Sequence, residues 1–175
     1  MARLRRCASP LVTAAHRRRF DRRFPAPVQS PAMAKISYIG RSVMPQEFMQ
    51  IREGLGLPPV EFPVAARALR DDLFSVIVLL DGETPVACGR LIGDGALAFY
   101  VQDVLVVPKM QRRGVGSKIM EILLSHLEAV AAPGAFIGLN AAPGTEAFFA
   151  RHGFAARPPD APGMQLAPQM KAGHS

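Results

Sequence analysis

Val104-Leu105-Val106-Val107-Pro108-Lys109-Met110-Gln111-Arg112-Arg113-Gly114-Val115-Gly116-Ser117 joins an apolar, strand-like run to a helix through a proline and a short cationic loop. Gly114 and Gly116 permit a tight turn and let a ligand approach the main chain. A helix beginning beside them presents N–H groups with no intrahelical partner and the positive end of its dipole. Such groups suit an anion, and a diphosphate above all. Arg112 and Arg113 add charge, although adjacent arginines on a loop also occur simply as a solvated pair.

Spacing separates three kinds of phosphate loop. A nucleoside-triphosphate loop needs a Gly-Lys-Ser/Thr ending, whereas here Lys118 follows Ser117. A dinucleotide fingerprint needs a third glycine where Ile119 stands, and an acid on a following strand. What remains is Gln-x-x-Gly-x-Gly after a strand carrying Val-x-Val-x-Pro. This resembles the acyl-coenzyme A loop of GNAT-type N-acetyltransferases. The resemblance runs from about Ile36 to about Leu166 and includes Ala147-Phe148-Phe149-Ala150-Arg151-His152-Gly153-Phe154, similar to the family's second block ending in Gly-Phe.

The resemblance implies acetyl-CoA as co-substrate and direct transfer of acetyl to a primary amine of a small molecule or peptide. The backbones of Val104 and Val106 would pair with the acetyl carbonyl and pantetheine amides. Gln111, Arg112, Arg113, Gly114, Val115 and Gly116 would wrap the pyrophosphate, with a hydroxyl from Ser117. For the side chains of Val104 and Val106, strand packing is the plain reading.

The elements that position these residues follow from local pattern. Ile36 to Ile39 is a short strand, Pro45 opens a helix ended by Gly54 and Gly56, and a second helix runs from about Val64 to Asp72. Phe74 to Leu80 and Val86 to Ile92 are strands about an Asp81-Gly82 hairpin, and Leu97 to Val107 is the central strand. A long helix from Val115 to Val130 carries Ile119, Leu123, Leu127 and Val130 on one stripe and stops at Pro133-Gly134. Ala135 to Leu139 reads as a strand, Thr145 to Arg151 as a short helix, and Phe154 to Ala156 and Met164 to Leu166 as closing strands. The expected fold class is α/β (α+β): a mixed, mostly antiparallel central sheet flanked by helices, agreeing with the acyl-CoA N-acyltransferase fold that the resemblance implies. In that fold the central strand and the strand after the long helix splay apart around the pantetheine arm.

Amide formation needs a neutral amine, a polarised thioester carbonyl and a proton for the departing thiolate. Family members often place an acid or histidine at the positions of Tyr100 and Gln102, and a tyrosine at that of Phe149. Gln102 cannot take a proton and Phe149 has no hydroxyl, so Tyr100 and Gln102 are read as ordering water. These departures also motivate a catalytically weak acyl-CoA-binding or sensing module as the alternative. Asp103 is the nearest carboxylate, read as a structural hydrogen-bonder with a base as the alternative, and strand alternation sends it to the face opposite Gln102 unless a bulge intervenes. His152 reads as a helix-end residue and Cys88 as strand packing. The acceptor would be shaped by Leu55 to Phe62, where Glu61 could meet an ammonium, and by the loop near Pro158 to Gly163.

Composition bounds the rest. The chain has 175 residues, 49% of them hydrophobic, enough for one domain with a sizeable core. Its formal charge is +7. Residues 1–34 carry eight arginines against Asp21 alone, which leaves 13 basic and 13 acidic residues in the remainder. The expected organisation is therefore a basic, disordered extension over 1–34 and the catalytic domain over 35–170. The extension has three readings: a mitochondrial transit peptide, a nucleic-acid grip, or sequence upstream of a true start at Met33, the last being favoured. Cys7 and Cys88 form no Cys-x-x-Cys and the four histidines show no ligand spacing, so no metal is expected. No apolar run approaches the roughly 18–20 residues of a membrane span. The expected setting is cytoplasmic, with a small-molecule amine as partner, no membrane partner, nucleic acid only through the basic arm, and a homodimer compatible with the composition.

Overall fold

The computed structural model describes residues 34–164. The expectations for the basic arm and for residues 165 and 166 lie outside the described residues. Five strands and four helices follow in the order β1 (Ile36–Gly40), α1 (Pro45–Gly54), α2 (Phe62–Arg70), β2 (Phe74–Leu80), β3 (Thr84–Gly93), β4 (Ala98–Val106), α3 (Val115–Val130), β5 (Phe136–Gly138) and α4 (Glu146–Ala150). The sheet order is β1-β2-β3-β4-β5. The first four strands are antiparallel, and β5 lies parallel to β4. The meander is local: Asp81, Gly82 and Glu83 join β2 to β3, with Asp81 and Gly82 at positive φ, 53° and 81°, and the Glu83 N–H donating to the Leu80 carbonyl at 3.2 Å.

Helices cover both faces of the sheet. α3 buries Val115, Ile119, Met120, Leu123 and Leu127, a stripe at helical spacing, against one face, while Val130 at its end is 44% exposed. Gly89 on β3 makes room for it, since a Cβ there would collide with Ile119 and come within 3.1 Å of Leu123 Cδ1. The opposite face meets α1 and α2, where Phe48, Ile51, Ala65 and Leu69 are buried. α1 starts cleanly: Pro45 supplies its first turn, and the Met44 N–H donates to Glu47 Oε2 at 2.9 Å.

Two departures from the sequence reading bear on the site. Phe154 to Ala156 is not a strand. Gly153 has φ 88°, its N–H donates to the Ala150 carbonyl at 3.1 Å, and the Phe154 N–H donates to the Phe149 carbonyl at 3.3 Å. That pair of bonds, with the Phe154 ring against Phe149, is a glycine-terminated helix end, so Gly-Phe closes α4 rather than opening a strand. Met164 likewise stands outside any strand. The second departure is in β4, where the register to β3 slips between the Cys88↔Leu105 and Arg90↔Gln102 pairs and leaves β4 one residue longer. Asp103, at φ 49°, lies in that bulge.

Candidate functional site

β5 pairs with β4 only over Ala98–Tyr100, so beyond that point β4 runs on to Val106 with no strand on its β5 side among the described residues. A polar main chain left at such an edge needs partners from elsewhere. A cleft of about 800 Å³ opens there. Val104, Leu105 and Val106 form one wall, Phe148, Phe149 and Arg151 of α4 and the turn after it another, and Leu55 and Leu57 of the α1–α2 connection reach its side.

The floor is the start of α3. A 3-10 turn at Pro108–Met110 leads from β4 into Gln111–Gly114. Arg112 and Gly114 take positive φ, at 56° and 80°, and Gly114 caps α3 with no side-chain acceptor for the first-turn N–H groups. The first bond of the helix runs from the Lys118 N–H to the Gly114 carbonyl at 3.0 Å, so the N–H groups before it have no partner within the helix. Gln111, Arg112, Gly114, Gly116 and Ser117 all line the cleft. Gly116 packs closely, since a Cβ there would lie 3.2 Å from Phe148 Cζ and would need that ring to move by a few tenths of an ångström. Gln111 does more than line it: its side-chain amide donates to the Val106 carbonyl at 2.9 Å and ties loop to strand.

Other sequence-predicted residues fall elsewhere. Val115 is buried in the core, and Arg113 Nη1 lies 3.4 Å from Met110 Sδ, so neither side chain lines the cleft. Tyr100 and Gln102 are exposed on β4 and are not among its lining residues either. Tyr100 rests against Phe136, with ring centroids 5.5 Å apart. The bulge overturns simple alternation for Asp103: Gln102 pairs with Arg90 in the register, and Asp103 receives a hydrogen bond from Arg90 Nη1, so consecutive side chains share a face. Neither the buried Arg90, which does not line the cleft, nor the roles of Gly144, Thr145, Phe148 and Arg151 in lining it are among the sequence expectations. A charged residue within the apolar Val86–Ile92 run was the available signal for Arg90.

Cys88 is fully buried, and its thiol is pushed up to about 12 by burial first and by the Asp103 charge second. It stays protonated and walled off, which excludes it as a nucleophile. Among the described residues no group of three or more His, Cys, Asp and Glu is placed to hold a metal ion, and no helix is long and apolar enough to cross a membrane.

An edge of β4 left open beyond its short pairing with β5, above a glycine-rich helix start, fits the family that the sequence resembles, and residues 72–156 match the model described as an acetyltransferase (GNAT) domain. The domain is of the GNAT acetyltransferase family. A probable acetyltransferase from meticillin-resistant Staphylococcus aureus is 25% identical over 76% of this chain and 99% of its own, with a TM-score of 0.70. A GNAT-family acetyltransferase from Streptococcus pneumoniae is also 25% identical, over 78% of this chain and 100% of its own, with a TM-score of 0.65. An aminoglycoside N-acetyltransferase in complex with CoA shares the fold at 12% identity, over 82% of this chain and 99% of its own, with a TM-score of 0.56. No curated protein matches the chain. The five-stranded mixed sheet flanked by helices is thus the GNAT fold, and acetyl transfer is the chemistry of the family.

Proposed function

We propose that this GNAT domain transfers acetyl from acetyl-CoA to a primary amine of a small molecule or peptide, by direct attack in a ternary complex. The observation that carries the reading is the cleft in which the unpaired edge of β4 meets the open N-terminus of α3. The residues present suit a long, polar, anion-bearing ligand: strand edge for its amides, helix start and Arg112 for its phosphates. Val104 and Val106 would offer main-chain groups to the arm. Arg112, Gly114, Gly116 and Ser117 would hold the pyrophosphate, with Gln111, Arg113 and Val115 supplying the rest of the loop.

When bound, acetyl-CoA would supply an activated thioester: the C–N bond forms, the C–S bond breaks, and the ammonium gives up two protons, one to solvent before attack and one that ends on the sulfur. This chain contributes orientation, which is worth much of such a barrier. In this reading Tyr100 and Gln102 order the water that carries the proton. Tyr100, 39% exposed, keeps access to solvent. Saturable acetyl-CoA binding in calorimetry, followed by thiol release across a broad panel of primary amines, tests the proposal, and a chain that does not bind acetyl-CoA defeats it at the first step. The setting we infer is cytoplasmic, with the basic arm as the only route to nucleic acid or to another compartment, and N-terminal mass analysis of the native protein tests that.

A second reading, an acyl-CoA-binding module with weak turnover, is favoured by Gln102 and Phe149, which offer no titratable group and no hydroxyl. Robust turnover of any amine in the same panel excludes it. Acetyl-CoA binding without thiol release selects it.

A further inference from the structure

Binding at the cleft would use the β4 main-chain groups that point away from β3, and just before them the register to β3 slips by one residue. Asp103 supplies the extra position between the Cys88↔Leu105 and Arg90↔Gln102 pairs, with φ 49°. Non-glycine residues enter that region at a cost, aspartate and asparagine more readily than branched residues. A single buried guanidinium holds it there. Arg90 Nη1 donates to Asp103 Oδ2, Nε donates to Asp72 Oδ2 at 2.9 Å, and Nη2 donates to Asp72 Oδ1 and the Ala68 carbonyl, both at 2.8 Å. Ser75 Oγ donates to the same Asp72 carboxylate at 2.8 Å. Arg90 is 5% exposed, and the side chains of Asp72 and Asp103 are 1% and 16% exposed.

These bonds lie largely out of water's reach, and the planar fork of arginine spans three acceptors that a lysine could not span together. The bulge in β4 is thereby tied through β3 to the segment between α2 and β2.

We propose that Arg90 and Asp103 are positioning residues: the buried Asp72–Arg90–Asp103 network holds the β4 bulge in place, and the bulge sets the Val104–Val106 main chain for the acetyl-CoA arm. The inference rests on the acetyl-CoA reading of the cleft. It assigns Asp103 a conformational task, which asparagine, tolerant of positive φ and still able to accept from Arg90, can share. A carboxylate acting as base could not be replaced in that way.

The test measures acetyl-CoA dissociation constants by calorimetry on the full chain and on Asp103→Asn, Asp103→Gly, Asp103→Val and Arg90→Lys, with thermal unfolding and amide exchange at residues 104–106 for each. Asn accepts positive φ and keeps an oxygen for Arg90, so it should bind within about threefold of the unsubstituted chain; Gly keeps the φ but loses the tether and should fall between Asn and Val, while Val loses both and should weaken binding about tenfold or more. Arg90→Lys should weaken binding as Val does. The amides of residues 104–106 should sort the variants in the same order, and the unfolding midpoint of Asp103→Val should stay near that of Asp103→Gly. A merely structural role would instead make affinity follow the unfolding midpoint. Equal affinity of the three Asp103 variants, in a chain that binds acetyl-CoA, overturns this proposal alone. Absence of binding by the unsubstituted chain defeats the acetyl-CoA reading, and this inference with it.

Discussion

Gly114 shows how a single residue can be required by conformation and not by crowding. A Cβ added there meets nothing within 4 Å, so no neighbour forbids a side chain, yet the φ of 80° belongs to the region that branched residues resist. Gly114→Val should therefore leave the fold intact, distort the turn before α3 and raise the acetyl-CoA dissociation constant about tenfold or more, one decade being about 1.4 kcal/mol. Calorimetry on a variant of unchanged circular dichroism checks it, and unchanged affinity would remove the phosphate-loop assignment. Phe149 tests another wall of the cleft. Phe149→Tyr places a hydroxyl on a lining side chain and should change turnover with little change in acetyl-CoA affinity, a split visible in kcat against the dissociation constant. Glu47 carries the clearest pH signature. Burial works against its charge, but the Arg41 fork, with bonds of 2.6 and 2.9 Å, and the Met44 N–H prevail and hold its carboxyl below the usual glutamate range. A depressed folded-state value means that the stability is present above the unfolded pKa, about 4.3, and is lost as pH falls through the lower, folded one. The unfolding midpoint should fall across that acid window, and Glu47→Gln should flatten the slope there while lowering stability at neutral pH.

At the scale of elements, legibility followed how local the cause was. α3 was readable over Val115–Val130 because its start, stop and stripe are all written within its own residues. The Asp81-Gly82 hairpin was readable for the same reason. β5 was expected over five residues and forms over three, Phe136–Gly138, because pairing with β4 ends at Tyr100↔Gly138. The bulge could not be read from alternation, since an inserted residue reveals itself only in the register with a partner strand. Arg90 was hidden likewise, its partners Asp72 and Asp103 lying 18 and 13 residues away in sequence. Phe154 was misread because an aromatic residue after glycine suits a strand start as well as a helix end, and only the bonds back to Phe149 and Ala150 decide. Gly89 is the element-scale point most open to test. Its missing Cβ lets α3 sit on β3, so Gly89→Ala should overpack the Ile119 and Leu123 contact and cost about 1–3 kcal/mol, read from denaturant midpoints at constant m-value.

For the whole molecule, the distribution of charge separates two interactions that the total of +7 would merge. Residues 1–34 hold all of that excess, so any affinity for a polyanion such as DNA belongs to them and should fall steeply with added salt. The remainder is neutral overall, and the phosphate site proposed for it is the cleft lined by Arg112, Gly114, Gly116 and Ser117. Removing residues 1–32 should therefore abolish salt-dependent retention on DNA and leave acetyl-CoA binding unchanged. The second half has its own readout. A ligand that binds only the folded state stabilises it by about 2.7 kcal/mol at a hundred times its dissociation constant, which for a domain of this size moves the unfolding midpoint by roughly 5–10 °C. Both the full and the shortened chain should show that shift with acetyl-CoA. A shift confined to the full chain would mean that the arginines of the arm reach the phosphates, and that the α3 loop alone is too weak an anion site to hold the ligand.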